Sequence, residues 1–357
     1  MNKDLKKLAV VVLFWNDSEK TIKCLESLFN QKNQTLSVVL VDNNSENRFK
    51  DKIFYWLKKN KINLIKVSKI NKLQQNFKKS KLCFYISNKI NYGCGLGHNP
   101  GYEFCLKNNF EYIARIDNDM IAPKNLMMNL VKRLEKNRDI IALSPKVMFT
   151  KNPKIIWFGG AKIANNLKFQ KQCSNHICGK KDAPEYRGLI QTDAIVGCAS
   201  IMKSRNLKKS GLSDPDFFYG EEDIELSHRL KKTYGTLFVD LDQKIYHSVS
   251  HTVGANWAKN IYYNYKYRLV LVKKIGKWHD KCIGYTVFIL KFFLMIILSF
   301  NSKYSSKLVP IFFAGIHFFQ KKYGEYDRKN YKKINNFFNS FNKQTTLKDI
   351  FQEIVRN

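Results

Sequence analysis

Tyr112-Ile113-Ala114-Arg115-Ile116-Asp117-Asn118-Asp119 decides how the rest of the chain is read. A strand-type apolar run stops at two carboxylates one residue apart. In an extended segment residues i and i+2 point the same way, so Asp117 and Asp119 can converge on one hard cation. Open α/β sheets place their ligands at such carboxyl ends of strands. Mg2+ and Mn2+ take oxygen ligands and share them with substrate phosphates. The continuation Met120-Ile121-Ala122-Pro123 sets a proline where the first turn of a helix over Leu126 to Leu134 is expected. A lone Asp-x-Asp is more often a solvated strand-end turn, so its company along the chain decides.

Upstream, Leu8 to Phe14 is a continuous β-branched run of the kind found in buried parallel strands. Asn16, Asp17 and Ser18 follow as turn and N-cap residues. Thr21, Ile22, Leu25, Leu28 and Phe29 then recur at helical spacing. Leu36 to Val41 predicts a second buried strand, ending in Asp42-Asn43-Asn44-Ser45. A helix over Lys50 to Lys59, a strand over Ile62 to Val67, a polar insertion over Ser68 to Lys81 and a strand over Cys83 to Ser87 come next. This alternation is the rhythm of a doubly wound α/β sheet. Asn91-Tyr92-Gly93-Cys94-Gly95-Leu96-Gly97-His98-Asn99-Pro100-Gly101 reads as a glycine-dense loop opening a helix, where backbone can approach a ligand. It does not have the G-x-G-x-x-G dinucleotide spacing.

Downstream come a strand over Ile140 to Leu143, a short one over Ile155 to Phe158, and an aperiodic excursion from about Ala164 to Gly188. Thr192 to Met202 is apolar and carries Gly197. Asp214-Pro215-Asp216-Phe217-Phe218-Tyr219-Gly220-Glu221-Glu222-Asp223-Ile224-Glu225 runs into a helix through Leu226, Arg229 and Leu230. Leu237 to Asp240 and Lys244 to His247 are expected as two closing strands, with His251 beyond.

The 357 residues allow one large domain plus an appendage, and a 44% hydrophobic content supports a real core. Lys and Arg number 62 against 29 Asp and Glu, a formal net charge of +33. Such a chain seeks anionic partners. Its lysines are spread rather than gathered in one arm, which speaks against nucleic acid and for anionic surfaces and phosphorylated ligands. The eight cysteines have irregular spacing, several in apolar runs (Cys83, Cys105, Cys198), as buried free thiols in a reducing compartment would. Cys173, His176 and Cys178 suggest a metal knuckle but have no second ligand pair. Met1 to Leu8 is too charged and short for a signal peptide, which places the chain in the cytoplasm.

The character changes near Asn256, dividing residues 1–253 from a helical, basic and aromatic region over 254–357. Tyr262, Tyr263, Tyr265, Tyr267 and Arg268 fall on one helix. Cys282 to Phe300 and Leu308 to Phe319 are apolar, and the first reaches spanning length. Lys291 in its middle and lysines on both flanks favour a helical pair lying on the bilayer over a span; a buried subdomain or oligomer interface is the third reading. Phe337 to Asn357 is an ordinary amphipathic helix.

In this order, these stretches resemble the family 2 inverting glycosyltransferases of GT-A fold, with the rhamnosyltransferase-like and galactofuranosyltransferase-like enzymes of bacterial surface polysaccharides nearest. The resemblance covers Val10 to about Thr252. It rests on Val11-Val12-Leu13-Phe14-Trp15-Asn16, Val39-Leu40-Val41-Asp42-Asn43-Asn44-Ser45, the spacing of Asn91 to Gly101, Asp117-Asn118-Asp119, Gly197 to Met202 and Phe217 to Arg229. It implies a mixed, mostly parallel sheet flanked by helices, a UDP- or dTDP-sugar donor, a glycan or lipid-linked acceptor, and Mn2+ or Mg2+. His247 falls where relatives supply a third metal ligand, with His251 a substitute. Glu225 departs from the usual Asp. The Gln-x-x-Arg-Trp motif of processive synthases is absent, which implies addition of a single sugar.

That chemistry fits the residues. Asp119 is the first choice as direct metal ligand, and Asp117 binds the metal or a donor hydroxyl. The acceptor hydroxyl needs one carboxylate base, assigned to Asp223 with Glu222 as runner-up; acids at a helix N-terminus also suit the helix dipole alone. Asp42 is expected at the base or ribose, with Asn16, Asn91 and Asn99 as further donor-site candidates. Arg229 contacts the diphosphate or pairs with Glu225 at i,i+4. The basic, aromatic tail implies a peripheral protein on the inner face of the cell membrane, where such acceptors sit. The rivals are a nucleotidyltransferase, which would need a glycine- and lysine-rich loop where Asn16 to Lys20 stand, and a non-catalytic basic protein binding membrane or nucleic acid.

Overall fold

The apolar runs at Leu8 and Leu36 form β1 (Leu8–Phe14) and β2 (Leu36–Asp42), paired in parallel from Leu8 opposite Leu36 to Phe14 opposite Asp42. Both strands are buried on both faces, which is why their sequences do not alternate. The computed structural model describes residues 7–32, 36–68, 70, 81–163, 173–175, 177–248, 257–298 and 302–322. They divide into two units: residues 1–162, 173–214 and 222–249, and residues 163–172, 215–221 and 250–357.

In the first unit, α1 (Ser18–Phe29) is capped by Asp17, whose carboxylate accepts from Lys20 N at 3.0 Å. The next helix, α2 (Asn47–Lys59), starts earlier than its apolar spacing predicts. Strands β3 (Asn63–Lys66) and β4 (Leu82–Ser87), helix α3 (Cys94–Lys107) and strand β5 (Tyr112–Ile116) complete a parallel half-sheet in the order β3-β4-β2-β1-β5. The chain winds outward from β1 through β2 and returns on the other side as β5. The winding therefore reverses at the carboxyl ends of β1 and β5, where such sheets bind ligands.

One expectation is corrected here. Most of Asn91 to Gly101 is helix rather than loop, because α3 begins at Cys94. Its glycines bring the helix against the sheet instead of bringing backbone to a ligand. A Cβ on Gly101 would lie 2.6 Å from Val11 Cγ1 and 2.9 Å from Val41 Cγ2.

The other half-sheet is mixed. Its strands are β6 (Met120–Ile121), β7 (Ile140–Phe149), β8 (Ile156–Phe158), β11 (Leu189–Thr192), β12 (Ala199–Lys203) and β13 (Thr236–His247), with helices α4 (Leu126–Lys136), α5 (Ser204–Ser210) and α6 (Glu222–Lys231) between them, while β9 (Ala161–Ile163) and β10 (Cys173–Asn175) pair as a separate two-stranded sheet. Strand β12 inserts antiparallel between β5 and β7, and β13 and β11 follow. The two expected closing strands are one, β13. Its register with β7 shifts between Asp240 and Lys244, so the polar residues there bulge out without ending the pairing. The far end of β13 pairs with β6, placing His247 opposite Met120.

In the second unit, α7 (Trp257–Ile275), α8 (Trp278–Leu298) and α9 (Ser302–Phe319) carry the aromatic tail. Segment 215–221 packs on α7, with Phe217 against Tyr267 and Phe218 against Tyr263 at ring-centroid distances of 5.8 and 5.7 Å. Among the described residues no helix is long and apolar enough to cross a membrane. His176, His251, most of Ser68 to Lys81 and all of Phe337 to Asn357 lie outside the described residues. Cys24, Cys83, Cys94, Cys105, Cys178, Cys198 and Cys282 are free, and Cys83, Cys105 and Cys198 are buried as their apolar settings predict.

Candidate active site

Strand β5 delivers Arg115 and Asp117 to the same side, and the two-residue turn to β6 delivers Asp119. Pairing of β6 with β13 then brings His247 Nε2 to 3.3 Å from Asp119 Oδ2. Trp157 meets the His247 ring edge-on at 4.6 Å, and His247 Nδ1 is buried with no hydrogen-bond partner. Two of the expected metal ligands thus converge through sheet pairing. Among the described residues no group of three or more His, Cys, Asp or Glu is assembled for a metal.

The centre of the cluster is a residue the sequence reading passed over. Arg115 is 3% exposed, and its guanidinium lies 3.5 Å from Asp117 Oδ1 and 3.1 Å from Glu222 Oε1. Burial works against its charge, but Asp117 and Glu222 outweigh that and hold its pKa well above the ordinary value. A signal was present, since a cation inside the run Ile113 to Ile116 needs a buried counter-charge. His98, also passed over, is buried on α3 with Nε2 3.7 Å from Asp117 Oδ1. Burial and Arg115 push its pKa well below the ordinary value, so it stands neutral there.

Burial raises the Asp117 pKa, Arg115 opposes that, and Asp119 adds to it, leaving the carboxyl at about 6. Cys198 O accepts from Asp117 N at 2.9 Å, while the preceding Gly197 N donates to Asp223 Oδ2 at 2.9 Å. The turn before β12 therefore joins the Asp117 strand end to the start of α6. A Cβ on Gly197 would sit 3.1 Å from Arg115 Cζ, so glycine makes room for the guanidinium. Glu222 is buried and engaged by Arg115, whereas Asp223 is half-buried. That difference separates the two candidates for a base.

The remaining candidates sit on the strand-end scaffold. Asn16, in left-handed conformation (φ 50°), donates from its backbone N to Ser45 Oγ at 3.1 Å and accepts from Glu46 N at 2.9 Å, tying the ends of β1 and β2 together. Asp42 is fully buried, and its carboxylate accepts from Ser45 N, Tyr85 Oη and Ser87 Oγ, which fixes the strand-end loop. The neighbouring Asn43 is a hub, donating to Asn91 Oδ1 at 2.7 Å and accepting from Asn88 Nδ2 and Tyr92 N. Asn99 exchanges two hydrogen bonds with the Ser213 backbone. Of the two readings of Arg229, pairing with Glu225 at i,i+4 is the one found. Its guanidinium donates to both Glu225 oxygens and to the carbonyls of Ser210, Gly211 and Leu212.

The sequence profile described as "Glycosyl transferase family 2" matches residues 9–204, more than half of the chain. The chain belongs to glycosyl transferase family 2. The matched region contains the Asp117 and Asp119 strand end and stops before Glu222, Asp223 and His247. No curated protein sequence matches the chain. Among solved structures, GalNAc-T7 with UDP, GalNAc and Mn2+ superposes with TM-score 0.51 at 18% identity over 69% of this chain; the chain spans only 44% of that protein's length. The mannosyltransferase PcManGT from Pyrobaculum calidifontis, in complex with GDP-Man and Mn2+, gives TM-score 0.51 at 12% identity over 88% of this chain and 87% of that one. At such identities the likeness is one of fold. A mixed α/β sheet flanked by helices in a family 2 chain is consistent with the GT-A class.

Proposed function

We propose that this family 2 chain is an inverting glycosyltransferase. It moves one sugar from a nucleoside diphosphate donor, UDP- or dTDP-linked, onto a glycan or lipid-linked acceptor in cell-surface polysaccharide synthesis. The observation that carries this is the meeting of Asp119 with His247 beside the Arg115, Asp117 and Glu222 cluster, at the point where the sheet reverses its winding.

The residues present fit a divalent cation, Mn2+ or Mg2+. A carboxylate and an imidazole already 3.3 Å apart supply two donors, with Asp117 two residues from Asp119, and the diphosphate of a donor supplies others. Asp119 and His247 would hold the ion, with Asp117 alongside. When bound, it stabilises the negative charge of the leaving diphosphate. Asp223 takes the proton from the acceptor hydroxyl as that oxygen bonds to the anomeric carbon and the bond from that carbon to the diphosphate breaks. One displacement inverts the centre. Arg115 occupies Glu222 in a buried ion pair, which leaves Asp223 as the base. The basic, aromatic region beyond residue 253 holds the protein to the anionic inner face of the membrane, where lipid-linked acceptors sit.

Thermal stabilisation by a panel of nucleoside diphosphates, with Mn2+ or with chelator, tests the donor site, because a ligand that binds only the folded state raises the melting temperature. A metal-dependent rise with one diphosphate, lost in Asp119→Asn, supports the proposal and names the base. No rise with any of them in folded protein would move the reading to a non-catalytic binding protein.

A further inference from the structure

Helix α8 is apolar over most of its surface, and such a surface needs apolar surroundings. One side has them within the second unit. Phe288 faces Tyr265, Tyr285 faces Phe318, and Phe292 stacks on Phe312 at 5.7 Å. Gly315 of α9 has no room for a Cβ, which would lie 2.8 Å from Phe288 Cζ.

Among the described residues of this unit, the other side is exposed. Trp278 is 77% exposed, Ile283 37%, Ile289 44%, Leu290 62%, Phe293 57% and Leu294 52%. At 3.6 residues per turn these six positions fall on one face about 160° wide and more than four turns long. The exposed positions between them, Cys282 and Thr286, bear no charge either. Asp280 is buried, and by helical angle it and Lys291 lie outside this face. Several of these side chains in unbroken succession mark an interaction surface, unlike scattered exposed apolar residues.

We infer that this face of α8 lies flat in an anionic lipid surface, inserted to the depth of its side chains. This deepens the membrane attachment proposed above and is independent of the donor chemistry. Two observations select lipid over a second copy of the chain. The face carries no Asp, Glu, Lys or Arg, its polar positions being His279 and Thr286, so no ion pair sets the register of a protein partner. Its approach is basic, with Lys273, Lys274, Lys277 and Lys281 leading into it, in a chain of net charge +33. Two copies meeting here would bring like charges together, whereas an anionic headgroup layer is complementary to them. Trp278 at the helix start suits the headgroup level, and the aliphatic and Phe residues beyond it suit the acyl boundary.

The test is vesicle flotation of the full chain with phosphatidylcholine alone and with added phosphatidylglycerol. It compares wild type, Leu290→Glu/Phe293→Glu and the milder Ile289→Ser/Leu294→Ser. The expected result is binding to the anionic vesicles that survives raised salt in part. It should fall about tenfold in the Glu pair and less in the Ser pair, with melting temperatures and any nucleotide-induced shift unchanged. Equal binding by all three proteins, or complete release of wild type by salt, would reduce the attachment to general charge attraction and overturn the inference. A wild-type dimer in lipid-free solution that the Glu pair converts to monomer would assign the face to a second copy and overturn it as well. If flotation behaves as expected while no nucleotide shifts the melting temperature, the donor-site reading fails and this one stands.

Discussion

Arg115 Nη2 donates to Glu222 Oε1 at 3.1 Å, and the two side chains are 4% and 7% exposed. This pair ties the strand that ends in Asp117 to the helix that carries Asp223. Breaking a buried ion pair by removing one partner leaves the other charge without compensation, a loss on the order of 3–5 kcal/mol. Glu222→Ala should lose that much stability in urea unfolding, and Arg115→Met a comparable amount. A loss of about 1 kcal/mol or less, the level of a surface pair, would show that the cluster is not held together here.

Asp223 and Glu222 should separate in kinetics as they do in burial. Asp223→Asn is expected to lower transfer by about 10²- to 10⁴-fold, the usual worth of a positioned base, while keeping the wild-type melting temperature and nucleotide-induced shift. Glu222→Gln should lose activity together with stability. Wild-type transfer by Asp223→Asn in a radiolabelled-sugar assay would remove it from the base position.

The strands were legible because burial on both faces writes itself as an unbroken apolar run, as at Leu8 to Phe14. The Asp119 and His247 meeting was half legible. Each residue stood out alone, but their approach depends on β6 pairing with the end of β13 across more than a hundred residues. Gly97 and Gly101 were legible as glycines and misread in purpose, since an i,i+4 spacing suits a helix face pressed on a sheet as well as a loop. The hydrogen bonds of Asn43 to Asn91, Asn88 and Tyr92 were not legible, because they join loops nearly fifty residues apart in sequence.

Gly101→Ala follows from that misreading. The new methyl would meet two β-branched side chains, Val11 and Val41, at 2.6 and 2.9 Å. Such residues are stiff at χ1, so α3 must lift. Overpacking of this kind costs about 1–3 kcal/mol, to be read as a lower urea midpoint. An unchanged midpoint would mean that α3 sits further from the sheet.

Arg268 lies 3.3 Å from Glu221, which has φ 66° and follows Gly220 at φ 88°. A glutamate in the left-handed region is disfavoured by roughly 1–2 kcal/mol, and the ion pair offsets part of that. Arg268→Gln should therefore lower the urea midpoint by the equivalent of roughly 0.5–1 kcal/mol, and Arg268→Lys should recover part of the loss. An unchanged midpoint in Arg268→Gln would show that the pair does not hold this turn.

Asp182 gathers three cations: Lys146 at 2.6 Å, Arg187 at 2.9 Å and Lys244. Burial pushes its carboxyl up, but hydrogen bonds from Lys146, Lys244 and Arg187 outweigh that and hold it well below the usual carboxylate range. A carboxyl whose folded pKa lies below its unfolded value, about 3.9, contributes stability that is fully present above that value. The contribution is lost as pH falls through the folded pKa. Lys146 has a side chain with no exposure, and burial lowers its pKa. In Asp182→Asn it keeps its burial and loses its counter-charge, so the variant should be less stable at neutral pH by on the order of 3–5 kcal/mol. The deficit should narrow in acid, as wild type loses the carboxylate, and again above neutrality, as Lys146 in the variant sheds its proton. Urea unfolding of both proteins from about pH 3 to about pH 9 reads this directly, and a deficit flat across that range would show that the carboxylate acts by packing rather than by charge.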